Sequence, residues 1–233
     1  MVIPLAPHRV AVPVVDAASA TLTRTRRHVA IVAFGPTADR VDAIRDDPDW
    51  EIWGMNDGHR HPLYRDGVLC ADRWFELHEM HAQDASDWRW LGRCPVPVYI
   101  PPQAYPDLRI PQAVRFPLER IEHTYVQAMQ PFWACSFAYM IALAMLEGFE
   151  AIGLFGFEFG SPREIIAERA NVLFWAGLAA GRGHPLVIPP DSTLVQHPHR
   201  YGLEYDAEAV WTDRQVATWL RRWMQPLTPR ARG

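Results

Sequence analysis

The sequence predicts an α/β fold, Rossmann-like, with a mostly parallel sheet and helices on both faces. Three observations carry this. Short apolar runs recur at His28–Phe34, Trp50–Met55, Arg73–His78, Pro95–Ile100, Ala151–Phe157 and His184–Ile188, and each ends in a polar turn. Segments with helical spacing stand between most of them, and such alternation gives a parallel sheet covered on both sides. The chain has 233 residues, 49% of them hydrophobic, enough for one α/β domain with a sizeable core.

The pattern divides the chain into an arm (1–27), one nucleotide-binding domain (28–224) and a tail (225–233). The arm holds three prolines and an Arg24-Thr25-Arg26-Arg27 cluster that reads as a solvated linker. The first strand ends in Gly35-Pro36-Thr37 and feeds a helix over Thr37–Arg45. Gly35 lets backbone approach a ligand, Pro36 suits the first helical position, and Thr37 adds a hydroxyl beside unpaired N–H groups. A helix start built this way favours anions, phosphate above all. An ordinary strand-turn-helix with no ligand has the same residues.

Asp46-Asp47-Pro48-Asp49 is a turn at the wrong end of the next strand for a ligand. The second strand ends in Asn56-Asp57-Gly58, on the ligand side, where an amide can bond a base or ribose. The same triplet also makes a turn by itself. His59-x-His61 and His197-x-His199 are weak metal signals. His78 and His81 follow the third strand, and a short helix covers Asp84–Leu91. Pro101–Pro117 reads as a long loop, with Tyr105 and Arg109 as candidate contacts. Tyr125–Glu147 is apolar all round, so it reads as a buried helix, with Ser136 near its start to cap it or hold phosphate. Glu158 follows the next strand directly. Arg163–Gly181 is a helix carrying Arg169, and Ala207–Trp223 an amphipathic closing helix. The ends of three strands, at Phe34, Met55 and Phe157, thus carry polar groups suited to one nucleotide.

Composition narrows the chemistry. All 23 basic residues are arginine, which excludes a lysine nucleophile, a Schiff base and a P-loop lysine. A net charge of −4 argues against nucleic acid as the main partner. Cys70, Cys94 and Cys135 fit no zinc or disulfide spacing, so the expected compartment is a reducing cytoplasm. Met1–Ala20 lacks a signal-peptide pattern, and the longest apolar run, Phe132–Leu146, is short for a bilayer span.

These blocks resemble a known family. Gly35-Pro36-Thr37 stands where bacterial sialyltransferases have a Gly-Asn-Gly-Pro-Ser turn, and Trp53-Gly54-Met55-Asn56 is similar to their second strand. Ser136 to Ala142, then Gly148 to Glu158, resembles their Ser-led helix, turn and strand ending Gly-x-Asp. DUF115-type proteins, which include flagellin-modifying transferases and an archaeal pterin pyrophosphokinase, share this skeleton. Small phage and prophage proteins resemble the chain from about residue 28 to 195, including Arg169-x-Asn171-Val172. The resemblance implies a Rossmann-like protein binding an activated nucleotide. Gly35, Pro36 and Thr37 would lie against phosphate or ribose, Asn56 near base or ribose, and Ser136 by the phosphate. Glu158 replaces the usual Asp, and Ala33 replaces the turn's first Gly. The family's base is a late histidine; His78, His184 and His197 are the candidates.

The leading expectation is a nucleotide-sugar-dependent glycosyltransferase of phage or prophage type, independent of metal, with an unknown acceptor. Its catalytic base would be His78, and Gly35, Pro36, Thr37, Asn56, Ser136, Glu158 and Arg169 would bind the nucleotide. No cofactor beyond the donor is implied. One alternative is a Mg²⁺-dependent pyrophosphokinase-like phosphotransferase using Asp57 and Glu158. Another is a nucleotide-binding phage protein without catalysis. Exposed tryptophans among the ten would support a homo-oligomer.

Overall fold

The computed structural model describes residues 23–78, 85–101, 110–126, 132–161 and 164–195. The closing helix and tail lie outside the described residues, as do Tyr105, Arg109, His81, His197 and most of the arm.

The core is a seven-stranded sheet in the order β7-β6-β5-β2-β1-β8-β9, and every neighbouring pair in it is parallel. The strands are β1 (His28–Val32), β2 (Trp50–Met55), β5 (Arg73–Phe75), β6 (Val98–Ile100), β7 (Ala113–Arg115), β8 (Ala151–Phe155) and β9 (Leu186–Val187). A two-stranded hairpin, β3 (Tyr64–Arg65) with β4 (Val68–Leu69), stands apart. The chain runs outward from β1 to β7, then returns to lay β8 along the other side of β1. The direction of winding therefore reverses beside β1, and ligands of such sheets bind at the carboxyl ends near that reversal.

Both faces are covered, as expected from the sequence. On one face lie α2 (Leu118–Tyr125), α3 (Ser136–Leu146) and α4 (Ala170–Gly181), packed through Ile121, Ile141 and Trp175. On the other lie α1 (Ala85–Leu91) and a 3₁₀ helix over Pro36–Ala43, packed through Trp90, Ala38 and Val41. The central strands β1, β2 and β8 are buried nearly throughout, so apolar side chains are needed on both faces. Gly54 is required in β2: a Cβ there would stand 2.2 Å from the Trp74 ring.

The sequence reading needs four local corrections. The helix after β1 is 3₁₀ rather than α. The Pro101–Pro117 segment is not all loop, because Ala113–Arg115 forms edge strand β7, with Ile110 and Phe116 buried beside it. Leu118–Tyr125 is a separate helix before α3. The first part of the expected Arg163–Gly181 helix is wound as a π-helix over Glu164–Arg169.

The described end of the arm is tied down. Arg27 makes a two-pronged ion pair with Glu150, at 2.8 and 3.1 Å, and Thr25 donates through its N–H and hydroxyl to Glu51. Glu51 is buried with Arg73, whose guanidinium lies 2.9 Å from Glu51 and 2.7 Å from Glu147. Among the described residues no helix is long and apolar enough to cross a membrane.

Candidate functional site

The strand ends expected to meet at one nucleotide carry two sets of contacts. The first joins β1 to β8. Gly35 N–H donates to the Gly156 carbonyl at 2.9 Å, and Gly156 N–H donates to Thr37 Oγ1 at 3.1 Å. The Thr37 N–H donates to Glu158 Oε2 at 3.0 Å, and the Thr37 hydroxyl donates to Glu158 Oε1 at 2.7 Å. The anion-favouring helix start is thus occupied by a carboxylate of the chain itself. Gly35 is required for it, since a Cβ would stand 2.5 Å from Glu158 Oε2. Pro36 opens the 3₁₀ helix in the same turn.

The second set lines a cleft of about 280 Å³ over the ends of β2 and β5. Asn56, His78 and Ser136 line it together, with Leu77, Trp133, Cys135, Tyr139 and Glu168 among their neighbours. Asn56 ends β2 in the left-handed region, at φ 54°, uncommon for a residue with a Cβ. Two bonds hold it there: its N–H donates to the Phe75 carbonyl at 2.9 Å, and Trp74 Nε1 donates to its carbonyl at 3.1 Å. Its Oδ1 is buried and has no hydrogen-bond partner among the described residues. A buried acceptor without a described partner at the edge of a cleft is a candidate ligand contact.

His78 follows β5 and is partly exposed, whereas Glu76 is fully buried. Glu76 N–H donates to the Tyr99 carbonyl at 2.9 Å, which extends the pairing of β5 with β6 by one residue. Glu76 Oε1 then accepts from His78 twice, from the backbone N–H at 3.1 Å and from Nδ1 at 2.9 Å. The His78 pKa is raised above its ordinary value, first by the hydrogen bond to Glu76. Burial opposes the rise, and the charges of Glu76, Asp57 and Glu168 add to it.

Ser136 is buried at the first turn of α3, with Cys135 before it in extended backbone. Asn171, fully buried on α4, fixes the approach to this turn: its Oδ1 accepts from Ala134 N–H at 2.8 Å, and its Nδ2 donates to the Phe132 carbonyl at 2.7 Å. Trp133 stacks between Tyr139 and Trp175, 4.4 Å from each. These two stacked contacts make it a fixed wall of the cleft. Burial pushes the Cys135 thiol up to about 12, which works against a thiolate nucleophile.

Arg169 does not line the cleft; its Nε donates to the Leu194 carbonyl at 3.1 Å. Its neighbour Glu168 does line it, brought there by the π-helix, for which the sequence carries no signal. In the sequence Glu76 reads as an ordinary strand residue two positions before His78, with no signal of its own. Trp133 and Tyr139 fall inside the apolar run 125–147, which by itself marks only core. His184 bonds the Phe149 carbonyl at 2.7 Å through Nδ1, away from the cleft. His61 is buried between Phe34 and Trp74, with both ring nitrogens bonded to backbone, so it is not available to a metal. Among the described residues no group of three His, Cys, Asp or Glu could hold a metal ion.

The fold and the position of the cleft define a doubly wound α/β protein with a candidate ligand site at its carboxyl strand ends. No protein-family model matches the chain, and no curated protein matches it. Among solved structures it is similar to a mutant of the alpha-2,3/8-sialyltransferase CstII, at 17% identity and a TM-score of 0.46, over 72% of this chain and 84% of that one. It is also similar to CstII from Campylobacter jejuni in complex with the substrate analogue CMP-3FNeuAc (16% identity, TM-score 0.45, 72% and 82% covered). A third similar structure is that enzyme with cytidine-5'-monophosphate (16%, 0.45, 80% and 88%). At these identities the likeness concerns the chain fold.

Proposed function

We propose that the chain is a glycosyltransferase that takes a nucleotide-activated sugar in the cleft between Asn56, His78 and the first turn of α3. One observation carries the reading: a carboxylate-supported histidine and the positive end of an 11-residue helix open on the same cleft. Glycosyl transfer needs both. The acceptor hydroxyl must lose a proton, and a histidine in reach takes it as general base. The nucleotide phosphate leaves with added charge, and the Ser136 hydroxyl with the α3 terminus steadies it. Asn56 Oδ1 accepts from a base amine or ribose hydroxyl. With this charge met by a helix end, the reaction proceeds without divalent metal. The resemblance of the Ser136 and Asn56 blocks to bacterial sialyltransferases and DUF115-type proteins supports the same reading, the likeness to small phage proteins supports the phage or prophage type, and the cysteine spacing supports a cytoplasmic setting.

The reading moves the phosphate from Gly35-Pro36-Thr37 to Ser136, because Glu158 already takes the Thr37 donors. A thermal-shift panel of CMP, UDP, GDP, ADP and ATP tests it, each with Mg²⁺ or EDTA. A ligand at 100 times its Kd stabilises by about 2.7 kcal/mol. A rise with CMP, UDP or GDP in EDTA is expected. A rise with ATP and Mg²⁺ alone would replace the reading with the phosphotransferase, and no rise at all with a non-catalytic binding protein. With the donor class known, His78→Ala is expected to cut turnover by about 10²–10⁴-fold while nucleotide binding survives.

A further inference from the structure

Glu76 is a carboxylate with no exposure at all, held at the end of β5, and its Oε1 accepts twice from His78. A buried carboxylate costs free energy that a purely structural position could avoid with an apolar residue. Here both of these bonds come from a histidine that lines the cleft. We propose that Glu76 is the positioning residue for His78: it holds the proton on Nδ1, leaves Nε2 as the basic nitrogen, and stabilises the imidazolium formed during transfer. The proposal rests on the glycosyltransferase reading and adds to it the residue that makes the histidine a competent base.

The step balances as follows. The acceptor O–H proton passes to Nε2 as the acceptor oxygen bonds the anomeric carbon. The bond from that carbon to the phosphate oxygen breaks, and its electron pair leaves with the nucleotide. The imidazolium then has an N–H on both nitrogens, with Nδ1–H against the Glu76 carboxylate at 2.9 Å. His78 subsequently releases its proton to solvent through its exposed side. Among the described residues three carboxylates act on the ring: Glu76 from its own segment, Asp57 from the turn after β2 and Glu168 from the π-helix. Glu76 is the one bonded to Nδ1, so it orients the ring as well as charging it.

The test is an NMR titration of the His78 ring in wild type and in Glu76→Gln, assigned by the signal lost in His78→Asn. It needs no substrate, so its outcome stands apart from whether the chain transfers sugar. The wild-type midpoint is expected above the ordinary value of about 6.5. Glu76→Gln is expected to lower it, because the close opposite charge beside Nδ1 is removed. With the donor in hand, the acid limb of the pH–rate profile should move down by the same amount. The variant's kcat should fall at least about tenfold, with the donor KM unchanged. An unmoved midpoint overturns the proposal, and so does a moved midpoint with wild-type kcat. Should Glu76→Gln fail to fold, Glu76→Asp keeps the charge but shortens the reach. Its midpoint should stay above 6.5 while kcat falls, and full wild-type kcat there would refute positioning.

Discussion

Replacing Glu158 with alanine is the sharpest test of how the β1 turn is built. In the folded chain its carboxylate accepts from the Thr37 N–H at 3.0 Å and from the Thr37 hydroxyl at 2.7 Å. Each hydrogen bond to a charged acceptor contributes about 1.5–3 kcal/mol net. Two would give about 3–6 kcal/mol, but Glu158 is only half-buried, and water reaches part of the gap. Thr37 also keeps its bond from Gly156 N–H. The expected loss is therefore about 2–4 kcal/mol, above the range of about 0.5–2 kcal/mol for an ordinary helix cap. Glu158→Gln keeps one acceptor oxygen and should lose about half as much. The assay is urea unfolding, with the midpoint shifted and the slope unchanged. Truncation also bares the Thr37 donors, so orthophosphate should stabilise Glu158→Ala more than wild type. A loss under about 0.5 kcal/mol with no phosphate response would refute the view that Glu158 serves as the anion of this turn.

Three further expectations follow from other parts of the fold. Arg73→Met leaves Glu51 and Glu147 facing each other in the interior and should cost about 3–5 kcal/mol in the same unfolding assay. His61 has its pKa lowered to about 4 by burial, with the bond to the Val32 carbonyl opposing. The unfolded chain binds that proton first, so stability is full above about pH 6.5 and falls as pH drops toward 4, by about 3 kcal/mol. Unfolding free energies at several pH values should show this fall, and His61→Gln should flatten it. Asn171→Ala removes both bonds to the 132–134 segment and should cost about 2–3 kcal/mol, while weakening nucleotide binding through the displaced Ser136 turn.

What the sequence reveals follows from where the determining contacts lie. β1, β2 and β8 are legible because a central parallel strand must be apolar on both faces, which leaves an unbroken run. Asn56, His78 and Ser136 are legible because strand and helix ends place polar residues on the ligand side whatever their partners are. Edge strand β7 is hidden because three residues carry too little pattern and prolines surround them. The π-helix is hidden because its apolar spacing matches that of an α-helix to within one residue. Glu158 is the instructive case: its position after β8 marks it as functional, but its partner Thr37 lies 121 residues away. Only the folded chain shows that its carboxylate takes the Thr37 N–H and hydroxyl. Glu76 is hidden for a related reason, since nothing in an Arg-Trp-Phe-Glu-Leu-His strand says which way a carboxylate turns.

The central claim is that the nucleotide lies in the Ser136 cleft and not on the Gly35-Pro36-Thr37 turn. It is tested most directly by the Kd of the stabilising nucleotide, titrated calorimetrically into wild type, Ser136→Leu and Glu158→Gln. Ser136→Leu fills the cleft and removes the hydroxyl, so it should weaken binding at least about tenfold, equivalent to 1.4 kcal/mol. Glu158→Gln should leave the Kd within about threefold. Wild-type affinity in Ser136→Leu together with lost or strongly altered affinity in Glu158→Gln would contradict the assignment and return the phosphate to the β1 turn.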